Sequence, residues 1–125
     1  MKIAVSAQGP DLDSPVDPRF GRAKAFVVFD TETHQVTGLD NQVNLNAVQG
    51  AGIQAARAVA QAGVSALITG NVGPKAFAAL QAAEIAVYRP ATPGTVREAI
   101  AAFQSRQLTQ VHQPNVEGHW GQGPS

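Results

Sequence analysis

The chain has 125 residues, with nine basic and nine acidic side chains, so its formal net charge at neutral pH is zero. One domain is expected at this length, and zero net charge gives no general attraction to nucleic acids or membrane surfaces. No apolar run reaches the ~18 residues of a membrane span, and the amino end lacks a signal-peptide core, so we expect a cytoplasmic location. The absence of cysteine excludes disulfides, zinc–thiolate sites and a cysteine nucleophile.

The first part of the chain predicts three strands. A short buried strand at 2–7 is followed by a polar, turn-rich loop at 8–22. A strand at 25–30 and a weakly alternating edge strand at 35–41 are joined by a polar hairpin connection. Together the three strands predict an antiparallel meander.

The second part of the chain alternates helices and strands. The predicted elements are a helix ended by Gly63, a strand at 64–69, a helix from Pro74, a strand at 85–88 and a helix opened by the capping box of Thr95 and Glu98. Helical spacing predicts the inward side chains Ile53, Ala56 and Ala60, then Phe77, Leu80 and Ala83, then Val96, Ile100 and Phe103. From Gln107 onward the chain resembles a loop-like tail.

This β-β-β-α-β-α-β-α order predicts an α/β fold. Right-handed crossovers place the last two strands parallel to the first, which gives a five-stranded mixed sheet of order 3-2-1-4-5 with helices on both faces. That is the ribonuclease H-like architecture. We expect a single domain over 1–110 and a carboxy-terminal tail over 111–125 that is flexible at its end.

Three loops of this sheet share one edge, because strands 1, 4 and 5 point the same way. Ligands in open α/β sheets favour that edge, and the helices begun at Pro74 and Thr95 would direct free N–H groups toward it. The loops carry the cations Arg19, Arg22, Lys24, Lys75 and Arg89 and the glycines Gly70, Gly73 and Gly94. The combination predicts an anion-binding site.

Each segment of this site also has an ordinary structural interpretation. Arg19, Arg22 and Lys24 could be solvated loop charges, and Phe20 could fix a turn and fill the core. The segment "TGNVGPK" could be a plain strand-to-helix connection, since it lacks the GxxxxGK[ST] spacing of a phosphate-binding loop. In "GAGIQAA" the GxGxxG pattern fails, so its glycines indicate close helix packing.

Without cysteine, a bound metal must use His, Asp, Glu or backbone ligands or bring its own, and the chain has three histidines. His112 and His119 are separated by roughly 23 Å in an extended chain, so shared ligation requires residues 114–118 to fold back. His34 falls in the predicted hairpin connection, where an exposed polar residue is ordinary.

A nuclease is the obvious alternative for such a fold. Two-metal phosphodiester chemistry needs several converging carboxylates, and the first strand has none. Asp17 and Asp30 have no predictable partner in the helices, and no G-x-S-x-G nucleophile motif occurs. The sequence therefore favours binding over catalysis.

Five segments in order carry a resemblance to a known family. They are the first 33 residues, "GAGIQAARAV", "GVSALITGNVGPKAFAAL", "AVYRPATPGTVREAI" and "PNVEGH". Over residues 1–119 the chain resembles the dinitrogenase iron–molybdenum cofactor biosynthesis family, which includes NifX-like and NafY-like cluster carriers and the carboxy-terminal part of NifB-like proteins. The lack of cysteine makes the chain most similar to a small single-domain branch, the orange proteins of sulfate reducers.

The resemblance implies a ribonuclease H-like fold without nuclease activity and a protein that binds a metal–sulfur cluster and is not an enzyme. It points to Arg19, Phe20, Gly21 and Arg22, to Gly70, Asn71, Gly73 and Pro74, and to His119. Many relatives have cysteine where this chain has Ala23, so thiolate ligation does not carry over. A bound cluster would be an anion with its own sulfides, held by cations, N–H groups and apolar contacts.

The implied cofactor is a molybdenum–copper sulfide cluster, with an iron–molybdenum–sulfur precursor as the alternative. A protein partner could take part in cluster transfer, while neither nucleic acid nor membrane is expected to bind. The alternative function is a cofactor-free interaction or regulatory module that binds a protein partner or a phosphate-bearing small molecule.

Overall fold

The computed structural model describes residues 1–41, 50–90 and 93–114. Within these ranges the chain forms six strands and three helices. They are β1 (Lys2–Ala7), β2 (Ala25–Asp30), β3 (Val36–Asp40), α1 (Ala51–Gln61), β4 (Ala66–Ile68), α2 (Pro74–Ala82), β5 (Ala86–Arg89), α3 (Val96–Gln104) and β6 (Thr109–Val111).

All six strands belong to one mixed sheet of order β3-β2-β1-β4-β5-β6. β1 pairs antiparallel with β2 and parallel with β4, which in turn is parallel to β5. The α/β class and the order of the first five strands are therefore as the sequence predicts. The ribonuclease H-like assignment stays a prediction.

The predicted count of five strands is wrong, because the segment beyond Gln107 contains β6. This strand pairs antiparallel with β5, and Tyr88 lies opposite Gln110. The exposed edge of β5 supplies unpaired backbone groups that the next segment can bond. Three residues of mostly polar sequence are too few to show strand alternation.

Helices cover both faces of the sheet, as predicted. α1 and α2 pack on one face over a core that includes Phe26, Val59 and Leu80. α3 covers the other face over a core that includes Ile3 and Ile100. Alternate side chains of β1 enter the two cores in turn, as the two-residue period of a strand requires.

The buried face of α1 matches the prediction only in part, since Ala56 is buried as predicted and Ala60 is partly buried against the core. Ile53 is only half-buried at the start of the helix. Gly63 follows the helix with φ +81°, and its N–H donates to Ala60 O, which confirms the predicted glycine stop. The buried residues of α1 are Ala51, Ala55, Ala56 and Val59.

The other two helices follow their predicted stripes with one exception. Ala83 is exposed, because α2 ends at Ala82 and the chain turns away. In α3, Val96 and Ile100 are buried, and the Phe103 ring packs edge-on against Tyr88 at 5.0 Å. The predicted capping box is formed in full.

Candidate functional site

A cavity of about 460 Å³ opens at the carboxyl edge of the sheet, on the face covered by α1 and α2. We call it the first cavity. Its volume lies within the range of small-molecule sites, about 300–1,000 Å³. It is lined by Phe20, Gly21, Arg22, Gly50, Ala51, Gly52, Ile53, Gly73, Pro74, Lys75 and Ala76.

Two helix N-termini face this cavity, and no side chain of the described residues caps either of them. Gly50 is the N-cap of α1 and Gly73 is the N-cap of α2. The first N–H groups of a helix have no intrahelical acceptor and point out of its end. Five such groups have no hydrogen-bond partner among the described residues, namely the amides of Ala51, Gly52, Ile53, Lys75 and Ala76.

The charge around the first cavity has one sign. Among the lining residues that the structure describes, Arg22 and Lys75 carry a charge and none is acidic. Each helix N-terminus adds a partial positive charge. Unpaired N–H groups, helix dipoles and cations together form a site for an anion.

Close backbone contacts hold the walls of the cavity together. Phe20 N–H donates to Asn71 O at 3.1 Å, which ties the loop after β1 to the loop after β4. A Cβ on Gly21 would lie 3.0 Å from both N and Cα of Gly52. Only glycine therefore lets the first loop approach the start of α1 this closely.

Six of the ten binding residues predicted from the sequence line the first cavity. Among them, Phe20 is 1% exposed, with its ring 5.3 Å from that of Phe26, so it also fills the core as the alternative interpretation held. The six are Phe20, Gly21, Arg22, Gly73, Pro74 and Lys75.

The other four predicted residues lie outside the lining. The Arg19 side chain is held by Asp17, with Nε 3.3 Å from Oδ1, and Lys24 is an exposed residue before β2. Gly70 and Asn71 serve the contact between the two loops. Asn71 Oδ1 is buried without a hydrogen-bond partner in the described part of the chain.

The third loop meets the loop after β1, since Val16 N–H donates to Gly94 O at 2.9 Å, but it does not line the first cavity. Val96 N–H donates to Ser14 O at 2.9 Å, and Arg97 N–H donates to Leu12 O at 2.8 Å. The next amide, that of Glu98, donates to Thr95 Oγ1 at 3.2 Å. The N-terminus of α3 therefore offers no free N–H at these positions, and its loop lies on the opposite face.

The start of α1 is the wall that the sequence interpretation missed. Its sequence signal is "GAG" at residues 50–52, which the sequence alone indicates as close helix packing. That interpretation also holds, since a Cβ on Gly52 would lie 3.0 Å from Ala76 Cβ. The same small residues that let α1 and α2 approach thus bring both N-termini to one cavity.

The described histidines do not meet. His112 is exposed just after β6 at one edge of the sheet, while His34 lies in the turn before β3 at the other edge. The His34 ring stacks on Phe29 at 5.9 Å. His119 lies outside the described residues.

The described ranges contain no group of three or more His, Cys, Asp or Glu residues placed to hold a metal ion. No helix in those ranges is long and apolar enough to cross a membrane.

Comparisons with known proteins agree with one another. The chain is 31% identical over 110 residues to an uncharacterized protein of Methanocaldococcus jannaschii, covering 86% of this chain and 89% of that one. Its fold is similar to the apo form of the orange protein of Desulfovibrio gigas, with a TM-score of 0.88, 48% identity, and coverage of 91% and 95% of the two chains. A NifB-like protein from Thermotoga, of the DUF35 family, gives a TM-score of 0.82 and 38% identity, with coverage of 94% and 98%.

A sequence profile for this group matches residues 1–106. The match includes every residue of the first cavity. The chain therefore belongs to the dinitrogenase iron-molybdenum cofactor family.

Proposed function

We propose that the chain is a non-enzymatic carrier that binds an anionic metal–sulfur cluster without covalent bonds in the first cavity. The observation that carries the proposal is the pair of uncapped helix N-termini that face one cavity. Five of their amides have no partner among the described residues, and with Arg22 and Lys75 they surround a volume of about 460 Å³ that no described carboxylate lines. Such a lining stabilises negative charge without forming a bond to it.

The donor set supports a cluster that completes its own coordination. None of the described lining residues carries a thiolate, imidazole or carboxylate. Ala23 is fully buried in the core. A molybdenum–copper sulfide anion fits this chemistry, because its sulfides accept N–H hydrogen bonds and need no protein ligand. An iron–molybdenum–sulfur precursor is the second cargo that family membership supports.

The positions of Asp17 and Asp30 favour a carrier over a hydrolase. Asp30 of β2 lies opposite Lys2 at the amino end of β1. Asp17 lies beside Ser6, near the carboxyl end of β1. Asp17 is 1% exposed and already accepts hydrogen bonds from Arg19. The two aspartates cannot share a pair of metal ions, which two-metal hydrolysis requires about 4 Å apart.

We also propose a protein partner that receives the cluster, and the cytoplasmic location expected from the sequence.

Uptake of a sulfide cluster tests the proposal. The metal-free protein is mixed with tetrathiomolybdate and Cu(I), desalted, and assayed by visible absorption and metal analysis. We expect a coloured protein with a fixed molybdenum-to-copper ratio, and weaker uptake as salt concentration rises. A colourless protein that retains neither metal would contradict the proposal.

A matched pair of charge variants locates the site. Lys75→Gln removes a cation from the cavity lining, and Lys24→Gln removes an exposed cation at the same edge of the sheet but outside the lining. We expect Lys75→Gln to lower the affinity about fivefold, as one partly exposed ion pair would, and Lys24→Gln to change it little. Equal effects of the two variants on affinity would show that the cluster binds outside the first cavity.

The amides also favour a second candidate, the cofactor-free module that binds a phosphate-bearing small molecule. Phosphate groups bind uncapped helix N-termini through the same N–H donors. Titration of the metal-free protein with inorganic phosphate and with ATP, followed by amide NMR, separates the two. Saturable shifts at Ala51–Ile53 and Lys75 with ATP, together with failed cluster uptake, would replace the carrier by this module.

A further inference from the structure

A second cavity of about 260 Å³ lies at the same edge of the sheet but on the face covered by α3. It is separate from the first cavity and shares no lining residue with it. We call it the second cavity. It is lined by Val16, Pro90, Pro93, Gly94, Thr95, Glu98, Ala99, Ala102, Gln107 and Leu108.

The second cavity combines polar and apolar lining: Thr95, Glu98 and Gln107 supply polar groups, and prolines, alanines, a valine and a leucine supply apolar surface. Its aliphatic and proline lining would pack against a hydrocarbon stem. Glu98 is the one charged residue among those that line it, and it is exposed at the rim. Within the described ranges no basic group lies within ion-pair distance of this carboxylate.

The Glu98 carboxylate is also held in place. Its Oε1 accepts the N–H of Thr95 at 2.9 Å as part of the capping box. The neighbouring Arg97 is engaged elsewhere, with Nε donating to Asp13 Oδ1 at 3.2 Å. A cation that reaches Glu98 therefore meets a side chain whose rotamer is already fixed, which lowers the entropic cost of pairing.

We propose that the second cavity binds a Lys or Arg side chain of a partner protein. The hydrocarbon stem would pack along the proline, alanine and leucine surface, and the ammonium or guanidinium group would pair with Glu98. A wholly apolar occupant would bury the carboxylate without a partner, which is unfavourable, and an anion would be repelled by it. Charge and shape together select a cation on an aliphatic stem.

The position of the cavity suits a contact with a partner. Val16 lines the second cavity, and Phe20, four residues later in the same loop, lines the first. A partner bound through the second cavity would leave the mouth of the first open on the opposite face. The proposal does not depend on which anion the first cavity holds.

Amide NMR of the intact protein with capped amino acids tests this site. N-acetyl-arginine N-methylamide is titrated against N-acetyl-citrulline N-methylamide, which has the same shape without the charge. We expect saturable shifts at Gly94, Thr95, Glu98 and Gln107 with the arginine compound, at an affinity about fivefold above that of the citrulline compound. No saturable shift at these residues, or equal affinity for both compounds, would overturn the proposal.

Two variants assign the effect to Glu98. Glu98→Gln removes the charge, yet glutamine also completes a capping box, so the fold is retained. Glu32→Gln removes the same charge from the distant β2–β3 turn. We expect only Glu98→Gln to abolish the preference for arginine over citrulline. An unchanged preference in Glu98→Gln would refute the pairing.

A third probe identifies the source of the cation. Free 1,4-diaminobutane carries two ammonium charges, against the single charge of the capped arginine, and has no peptide backbone. Binding of the capped amino acid at least as tight as that of the diamine supports a protein side chain. Binding confined to the diamine would overturn it in favour of a free polyamine.

Discussion

Gly70 lies directly against the backbone of Pro18. A Cβ on Gly70 would lie 2.9 Å from Pro18 Cα and 3.0 Å from its carbonyl carbon, and nearer still to its oxygen. The neighbouring Asn71 N–H donates to that oxygen at 2.6 Å. The absence of a side chain at Gly70 is therefore what lets the loop after β1 bond the loop after β4, and this pairing builds one wall of the first cavity.

Gly70→Ala is expected to destabilise the fold by about 1–3 kcal/mol, because backbone cannot yield as a flexible side chain would. The free energy of unfolding from urea denaturation measures it. Ser65→Ala, at an exposed position just before β4, is the control and should stay within about 0.5 kcal/mol of the parent. A Gly70→Ala protein as stable as the control would show that the two loops can separate without cost.

A buried hydroxyl pair ties the same loop to the sheet. Ser6 Oγ donates to Asp17 O at 2.6 Å and lies 2.7 Å from Thr69 Oγ1, so the Thr69 hydroxyl is left to donate to Ser6. Both hydroxyl-bearing residues are fully buried. Ser6→Ala should cost about 1–3 kcal/mol of unfolding free energy, because both partners lose a hydrogen bond in the interior.

A double-mutant cycle separates this pair from simple loss of packing. Thr69→Val removes the hydroxyl at nearly constant volume. The Ser6→Ala, Thr69→Val double variant should be less destabilised than the sum of the single variants, because it no longer buries an unpaired threonine hydroxyl. Additive free energies would show that the two hydroxyls do not interact.

The capping box of α3 makes a local prediction. Thr95→Ala should lower the unfolding free energy by about 1 kcal/mol and speed amide hydrogen exchange at Glu98, whose N–H donates to Thr95 Oγ1. Thr95→Ser keeps the acceptor and should restore slow exchange. Unchanged exchange at Glu98 in Thr95→Ala would contradict the capping role.

Much of the fold is encoded locally enough to be predicted. Buried runs such as Lys2–Ala7 define strands, Gly63 and Thr95 mark helix boundaries, and the right-handed crossover rule then orders the central strands. β6 escapes prediction because its three residues become a strand only by pairing with β5.

The site was predicted only in part, for a physical reason. The charged residues, glycines and prolines of the loop at 19–22 and of the start of α2 are recognisable in the sequence and predict these two walls. The wall at the start of α1 depends on the contact of Gly21 with Gly52, which is set by packing between residues distant in sequence. α3 connects β5 to the antiparallel strand β6, so the handedness rule for parallel strands does not predict which face of the sheet α3 covers. The sequence therefore wrongly predicts that the N-terminus of α3 contributes to the anion site.

The lowered pKa of Asp30 predicts that the free energy of unfolding depends on pH. The N–H groups of Glu32, at 2.8 Å, and then of Thr33, at 3.2 Å, hold the pKa of this carboxyl below its ordinary value of 3.8. A lowered folded-state pKa contributes stability above pH 3.8 that is lost as the pH falls through the folded value. Relative to Asp30→Asn, which does not titrate, the parent should lose unfolding free energy only below that pH. An NMR titration midpoint for Asp30 at or above 3.8 would contradict the effect of these hydrogen bonds.

Ile53 offers a way to separate folding from anion binding. It is half-buried, lines the first cavity and is the third residue of α1, where a carboxylate interacts favourably with the helix dipole. Ile53→Glu should therefore fold normally and yet lower uptake of the thiomolybdate–copper cluster about tenfold or more, because its charge repels the anion across a short distance. Ile53→Gln has the same length without the charge and should retain most of the uptake. Circular dichroism and thermal unfolding confirm that both variants fold, and equal cluster uptake by the two would exclude the N-terminus of α1 from the binding site.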